Sequence, residues 1–196
     1  MKSPNEAFAP CDDRKGTEVT GGANKADVGT NAIVQMHLTQ GKVTLIDLAD
    51  WLLVRDHRWY AAELYPGRWY AQTNIRKSDR RRVTLQLSRL ILMPVPDHEV
   101  DHRNGETLDN RRCNLRVCTR IENARNRRLN EGRRFKGVYW NGGNWLARIY
   151  VDSRMRTLGS FGDPAEAAHA YDAAAHKHFG EFARPNFPEV ERAGAR

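Results

Sequence analysis

The stretch from Val100 to Arg128, VDHRNGETLDNRRCNLRVCTRIENARNRR, restricts the fold of this chain more than any other. Val100, Asp101 and His102 read as a short strand, and Asn114, Leu115, Arg116 and Val117 as a second. Asn104-Gly105 and Asp109-Asn110 lie between them and predict a long polar loop at the tip of an antiparallel hairpin. Thr119 stands three residues before Glu122, the capping-box spacing that satisfies orphan amides at a helix start. Ile121, Ala124 and Arg128 continue at helical spacing. The order is therefore strand, loop, strand and helix.

Folded in that order, Asp101 and His102 on the first strand are expected to face Asn123 in the first turn of the helix. A hard divalent cation takes oxygen ligands, which Asp101 and Asn123 supply, and keeps positions open for water and a substrate phosphate. A histidine titrates near neutrality, so His102 can take a proton from water. Hydrolysis of a phosphodiester follows: His102 activates water, and the cation offsets charge on the scissile phosphate and the departing oxygen. Asp-His pairs and Asn-rich turns also occur in ordinary hairpins, where they serve turn geometry. The combination in register specifies a site; its separate parts do not.

These residues resemble the HNH endonucleases with the ββα-metal motif, in particular the phage and intron-type members carrying DH, N and N. The match covers roughly Leu87 to Arg128. The resemblance implies that Asp101 is a metal ligand, His102 the general base, Asn114 the middle Asn that braces the loop and the histidine, and Asn123 the second metal ligand. Many such enzymes have histidine at the last position; Asn123 there favours magnesium, with manganese as the alternative, over a zinc-like ion. Ser88, in SRLI, also stands where related sequences often carry histidine. Arg127, one turn beyond Asn123, is expected to share its helix face and to hold a phosphate.

Charge points the same way. The 196 residues carry a net charge of +8, and Arg76 to Lys136 contains 17 basic against 8 acidic residues. Nearly all the excess thus surrounds the proposed site, where it would meet a phosphate backbone and release counterions. Five of the seven residues from Arg76 to Arg82 are basic, and a phosphate contact is favoured there over a merely solvated loop. Three cysteines, Cys11, Cys113 and Cys118, make no even disulfide framework. With no apolar leader or spanning run, a reduced, cytoplasmic setting is expected. Cys113 and Cys118 are read as packing residues, since a second pair for zinc is missing.

The length suits two small domains. Residues 1–30 have few large apolar groups and read as a disordered tail. Residues 31–130 are assigned to the nuclease domain with a β-rich N-terminal scaffold. In it Ala32–Leu38 and Lys42–Ile46 are expected strands around a Gln40-Gly41 turn, and Asp47 opens a brief helix through Leu53. Tyr65-Pro66-Gly67 turns between strands containing Trp59 and Trp69, and those aromatics read as core. His98 lies four before His102, but Pro94 and Pro96 argue against a helix there, so His98 is left out of the site.

Residues 134–188 form the second expected domain, and 189–196 a tail. KGVYWNGGNWLARIYVDSRMRTLGSF reads as three short strands with turns at Asn141-Gly142-Gly143 and Asp152-Ser153. Asp163 caps a helix with Pro164 at its first position, and Gly180 ends it. The strings KGV, WLARI, LGSF, EAAHAYDAAA and NFP resemble the Apetala-type DNA-binding domain of plant ethylene-response factors, also found attached to phage HNH nucleases. In that family the sheet lies in the DNA major groove. The resemblance puts Lys136, Tyr139, Asn141, Arg148, Tyr150 and Thr157 at DNA, with Arg148 at a guanine edge and Lys136 at phosphate.

The fold class expected is α+β: a small ββα-metal nuclease domain, then a three-stranded antiparallel sheet packed on one helix. The function expected is a metal-dependent endonuclease acting on double-stranded DNA, site-specific or homing-type, with no membrane partner. One metal centre cuts one strand per encounter, so a monomeric nickase is natural, with a dimer or sequential cutting as alternatives. The alternative class is a DNA-binding regulator whose nuclease fold no longer cuts.

Overall fold

The computed structural model describes residues 32–127, 129 and 134–187. It is α+β, built of small antiparallel sheets and few helices. The chain divides into two compact units between Arg120 and Ile121. The expected tails at 1–30 and 189–196 lie outside the described residues. Among the described residues, no helix is long and apolar enough to cross a membrane.

The first unit opens on a hairpin of β1 (Ile33–His37) and β2 (Val43–Asp47), registered from Ile33 opposite Asp47 to His37 opposite Val43. Alternation along β2 sends Thr44 and Ile46 inward, both fully buried. A single 3₁₀ turn leads to α1 (Trp51–Val54). Strands β3 (Tyr60–Tyr65), β4 (Arg68–Arg76) and β5 (Arg82–Gln86) then form a three-stranded antiparallel sheet with β4 in the centre. Helix α2 (Leu87–Leu92) follows β5 directly. Strands β6 (Glu99–His102) and β7 (Leu115–Cys118) make the last hairpin of this unit; α3 (Arg120–Arg125) begins two residues after β7 and runs into the second unit.

The core of this unit gathers Leu38, Ile46, Val54, Leu87, Ile91 and Leu115 from β2, both helices, β7 and a connecting turn. Burying each such side chain contributes about 1.5–3 kcal/mol. Trp59 and Trp69 pack against the same cluster, so their role is core packing. The indole N–H of Trp59 donates to the Val54 carbonyl at 2.9 Å. Cys118 is buried, and its thiol lies 3.7 Å from the Glu99 carbonyl oxygen.

The second unit contains β8 (Val138–Trp140), β9 (Trp145–Val151) and β10 (Arg154–Phe161), antiparallel with β9 central, and α4 (Pro164–Phe179) across one face. The carboxylate of Asp163 accepts from the Ala165 amide, Pro164 occupies the first turn, and Gly180 closes the helix at φ 53°. Ile149, Val151, Tyr171, Ala175 and Phe179 form the core. Asn186 ties the two ends of the unit together. It accepts from the Lys136 amide, donates to the Lys136 carbonyl at 3.1 Å, and donates to buried Asp172 of α4 at 2.9 Å.

Gly137 sits at φ +75°, and a Cβ there would lie 2.0 Å from Cδ2 of Tyr171. Both the backbone conformation and the space exclude a side chain. Gly137→Ala is expected to destabilise this unit by about 1–3 kcal/mol, read as a lower denaturation midpoint of the full chain. An unchanged midpoint would mean that the ring has room to move.

Candidate active site

The hairpin of β6 and β7 sets the register of the site: Asp101 lies opposite Arg116, and His102 opposite Leu115. Asp101 and His102 are both 5% exposed. Being neighbours on a strand, they take different partners. Arg116 donates from Nε and Nη2 to Oδ2 of Asp101, at 2.8 and 2.6 Å, and both side chains of this ion pair are 6% exposed.

His102 is held by a chain of hydrogen bonds that reaches the first hairpin of the unit. Its Nε2 lies 3.3 Å from Oδ1 of Asn110, Asn110 Nδ2 donates to Thr44 Oγ1 at 2.8 Å, and Thr44 Oγ1 donates to the Leu108 carbonyl at 2.7 Å. The direction of donation follows from the far end. A carbonyl only accepts, so the Thr44 hydroxyl spends its proton on Leu108 and must accept from the amide nitrogen of Asn110. That leaves the Asn110 oxygen facing His102, and the tautomer assigned from this bond has the ring proton on Nε2 and the basic nitrogen at Nδ1. Burial pushes the His102 pKa below the ordinary histidine value. The Asn110 hydrogen bond and the carboxylates of Asp101 and Asp109 oppose that shift without reversing it.

The loop between the strands is a hydrogen-bonded framework rather than a floppy tip. Asn114 closes its base, accepting from the Asn104 amide at 3.0 Å and donating to the Asp109 carbonyl at 2.8 Å. Arg111 grips Asp109 through two bonds of 2.7 Å. Leu45 of β2 holds the loop from outside, donating to Leu108 at 2.9 Å and accepting from the Asn110 amide at 2.8 Å. Arg112 anchors the returning chain by its ion pair with buried Asp50, at 2.7 Å. These backbone bonds place Asn110 where His102 needs it.

Asn123 lies on α3, and Ser88 is buried in α2. Arg127 follows α3. Helix α3 ends at Arg125, and the Arg127 amide bonds Ala124 three residues back, at 3.4 Å. The last turn tightens, so the helix-face argument that paired Arg127 with Asn123 does not extend to it. Arg127 itself is exposed.

Lys136 is half-buried. Its ammonium donates to the carbonyls of Arg125 and Arg127, and its pKa is lowered to about 8, chiefly by burial. Its ammonium is thus held by backbone carbonyls of the same unit. Asn141 organises its turn, its side chain accepting from the Asn144 amide at 3.0 Å.

Tyr139, Arg148, Tyr150 and Thr157 do share a face. Tyr139 pairs with Leu146 and Arg148 with Thr157, and the strand alternation places them opposite the buried Ala147, Ile149 and Val151 that meet α4. Tyr150 is 60% exposed, whereas Nε of Arg148 is buried without a hydrogen-bond partner.

Sequence reasoning missed Thr44, Asn110, Asp109 and Arg116 as parts of the site. Asn110 lies eight residues from His102, and the Asp109-Asn110 dipeptide reads only as a turn signal. Thr44 is 66 residues from Asn110 and carries no local signal at all. Among the described residues, no three His, Cys, Asp or Glu side chains gather to hold a metal.

An Asp-His strand, a braced loop and a returning strand are followed in the chain by a helix. Residues 57–125 match the HNH endonuclease family model, which supports a nuclease activity for this segment. An uncharacterized HNH endonuclease of Acanthamoeba polyphaga mimivirus is 27% identical over 150 residues, 75% of this chain and 76% of the relative. The dehydration-responsive element-binding protein 2A of rice, Oryza sativa, in both its indica and japonica subspecies, is 49% identical over 49 residues. That likeness spans 24% of this chain and 18% of the rice protein.

Proposed function

We propose that the chain is a metal-dependent endonuclease that hydrolyses phosphodiester bonds in duplex DNA, with His102 as general base. The observation that carries this reading is a buried histidine whose Nε2 lies 3.3 Å from Oδ1 of Asn110; in the tautomer assigned from that bond, Nδ1 takes the proton from a water molecule. The water oxygen attacks phosphorus, the P–O bond to the departing oxygen breaks, and that oxygen takes a proton from solvent. Asn114 acts by closing the loop base on which Asn110 is set.

HNH nucleases generally use divalent metal ions, and the residues here fit one by donor chemistry. The carboxylate of Asp101 and the amide oxygen of Asn123 are hard oxygen ligands suited to magnesium or manganese. When bound, the ion supplies positive charge beside the scissile phosphate and the departing oxygen. The exposed sheet face with Tyr139, Arg148, Tyr150 and Thr157 is the proposed DNA reader, and the likeness to a rice element-binding protein supports it. Asn141 at the turn and exposed Arg127 are placed at the DNA backbone. Cutting of one strand per encounter is assigned to a monomer inside the cell, in a mobile, homing-type role.

One observation favours the regulator reading instead. Oδ2 of Asp101 already carries two N–H bonds from Arg116, a load that a metal ligand must share. Substrate choice separates the readings when matched duplex DNA, single-stranded DNA and RNA are incubated with magnesium. Preferential cutting of the duplex is expected; preferential cutting of RNA would overturn the DNA assignment, and no cutting with intact duplex binding would favour the regulator.

The pH dependence has a fixed sign. His102 works as a base only when neutral, so cutting is retained above its pKa and lost as pH falls through it. Because burial lowers that pKa, the acid limb is expected below about pH 6.5. An acid limb centred at or above pH 7 would contradict the burial seen here. The same shift makes the unfolded chain bind the proton first, so this group also lowers folding stability as pH falls from about 6.5 toward the folded value.

A further inference from the structure

We propose that the β4–β5 hairpin is a DNA-backbone clamp on the first unit, gripping phosphates independently of the residues that cut. The inference rests on the duplex-DNA reading above and names a surface that the cutting chemistry does not use. The hairpin runs from Arg76 opposite Arg82 through a turn of Lys77, Ser78, Asp79, Arg80 and Arg81, all of them exposed. Five of these seven residues are basic and one is acidic.

The single carboxylate is consumed within the turn. Asp79 accepts from the Arg81 amide at 3.0 Å and its Nε at 2.7 Å, and Arg81 Nη2 stands 2.6 Å away. Arg81 and Asp79 therefore neutralise each other while shaping the tip. The Lys77 amide bonds the Arg81 carbonyl at 3.0 Å, and Arg80 takes a left-handed conformation at φ 64°. Among the described residues, no carboxylate forms an ion pair with Arg76, Lys77, Arg80 or Arg82.

Arg76 and Arg82 are directly opposite in the register, an arrangement that destabilises a sheet when both members carry the same charge. Strand β5 is an edge strand, and charged side chains on an edge discourage pairing with other chains. That role needs charge but not two cations facing each other without a carboxylate. An anion that bridges them converts the repulsion into two charge-assisted hydrogen bonds.

The neighbouring pair on the same face continues the surface in polar, uncharged groups. The Thr84 hydroxyl donates to Asn74 Oδ1 at 3.0 Å, and both residues are exposed. The opposite face, with Thr73 and Leu85 and then Ile75 and Val83, is buried or half-buried. A narrow cationic row flanked by hydroxyl and amide groups fits a phosphodiester backbone. Because β5 runs straight into α2, whose Ile91 carbonyl accepts from Arg112 at 3.1 Å, the clamp is built onto the returning chain of the site loop.

The test uses the full chain and two double variants, Arg76→Gln/Arg82→Gln and Lys77→Gln/Arg80→Asn. Binding of a duplex oligonucleotide is measured across a salt series. Each phosphate that is no longer neutralised makes the slope of log K against log salt shallower by about 0.9, so the slope should be shallower by about 0.9 for the arginine pair, which shares one phosphate, and by about 1.8 for Lys77→Gln/Arg80→Asn. Cutting at saturating DNA should stay at the wild-type rate while the DNA concentration for half-maximal rate rises. The arginine-pair variant should unfold at or above the wild-type midpoint, because a repulsion has been removed.

Slopes and affinities equal to the wild type in both variants would overturn the clamp while leaving the duplex-DNA reading standing. A wild type without salt-sensitive duplex binding would overturn both. A lowered unfolding midpoint in the arginine-pair variant, with an unchanged salt slope, would assign the arginines to structure alone.

Discussion

Replacing His102 with alanine is expected to slow phosphodiester cleavage by about 10²- to 10⁴-fold, the usual contribution of a positioned general base. Duplex binding should survive, because the base acts in the chemical step and the proposed DNA-binding groups lie on other residues. His102 is buried against Asn110, so the variant is to be compared at matched folded fraction. The outcome that sinks the assignment is cutting at the wild-type rate by a folded variant. A parallel fall in binding and cutting would make His102 structural.

The second large effect concerns Arg116. Truncating it to alanine leaves Asp101 as a buried charge without its guanidinium partner, and breaking a buried pair in this way costs about 3–5 kcal/mol. The pair is 6% exposed on both sides, so solvent screens it little. Urea unfolding of the full chain should show the first unit destabilised by that amount. Replacing both partners together, as Asp101→Leu/Arg116→Met, should restore most of that stability because no charge is then stranded. Equal stability of the single and double variants would show that the packing of Arg116, rather than its charge, matters.

The hairpin and its following helix are readable from local chemistry. Asp101 and His102 end one strand, Asn-Gly and Asp-Asn turns fill the loop, and Thr119 and Glu122 announce the helix. The second unit is readable for the same reason: Asp163, Pro164 and Gly180 punctuate α4, and alternation in β9 separates its two faces. Helix α2 is not. LSRLIL is apolar almost throughout, so a period of 3.6 and a buried strand look alike over six residues.

The support of the site is hidden for a different reason. Thr44 and Asn110 meet only because Leu45 bonds the loop backbone at Leu108 and Asn110, a tertiary pairing without a local signature. The Asp101–Arg116 pair depends on strand register, which the runs of residue types leave open by a position. Asn114 shows the consequence. Residue type alone makes it the start of a strand, but its side chain and carbonyl hold the loop, and β7 begins at Leu115. The bonds from the Lys136 ammonium to backbone carbonyls likewise have no local signature in the sequence.

Conversion of supercoiled plasmid by the purified full chain, with magnesium, with manganese and with chelator, tests the central claim most directly. Nicked circles are predicted with either metal, none with chelator, and a conversion slowed by about 10²- to 10⁴-fold in His102→Ala. Conversion that persists after chelation, or an unconverted plasmid to which the chain still binds in a salt-sensitive manner, would contradict it.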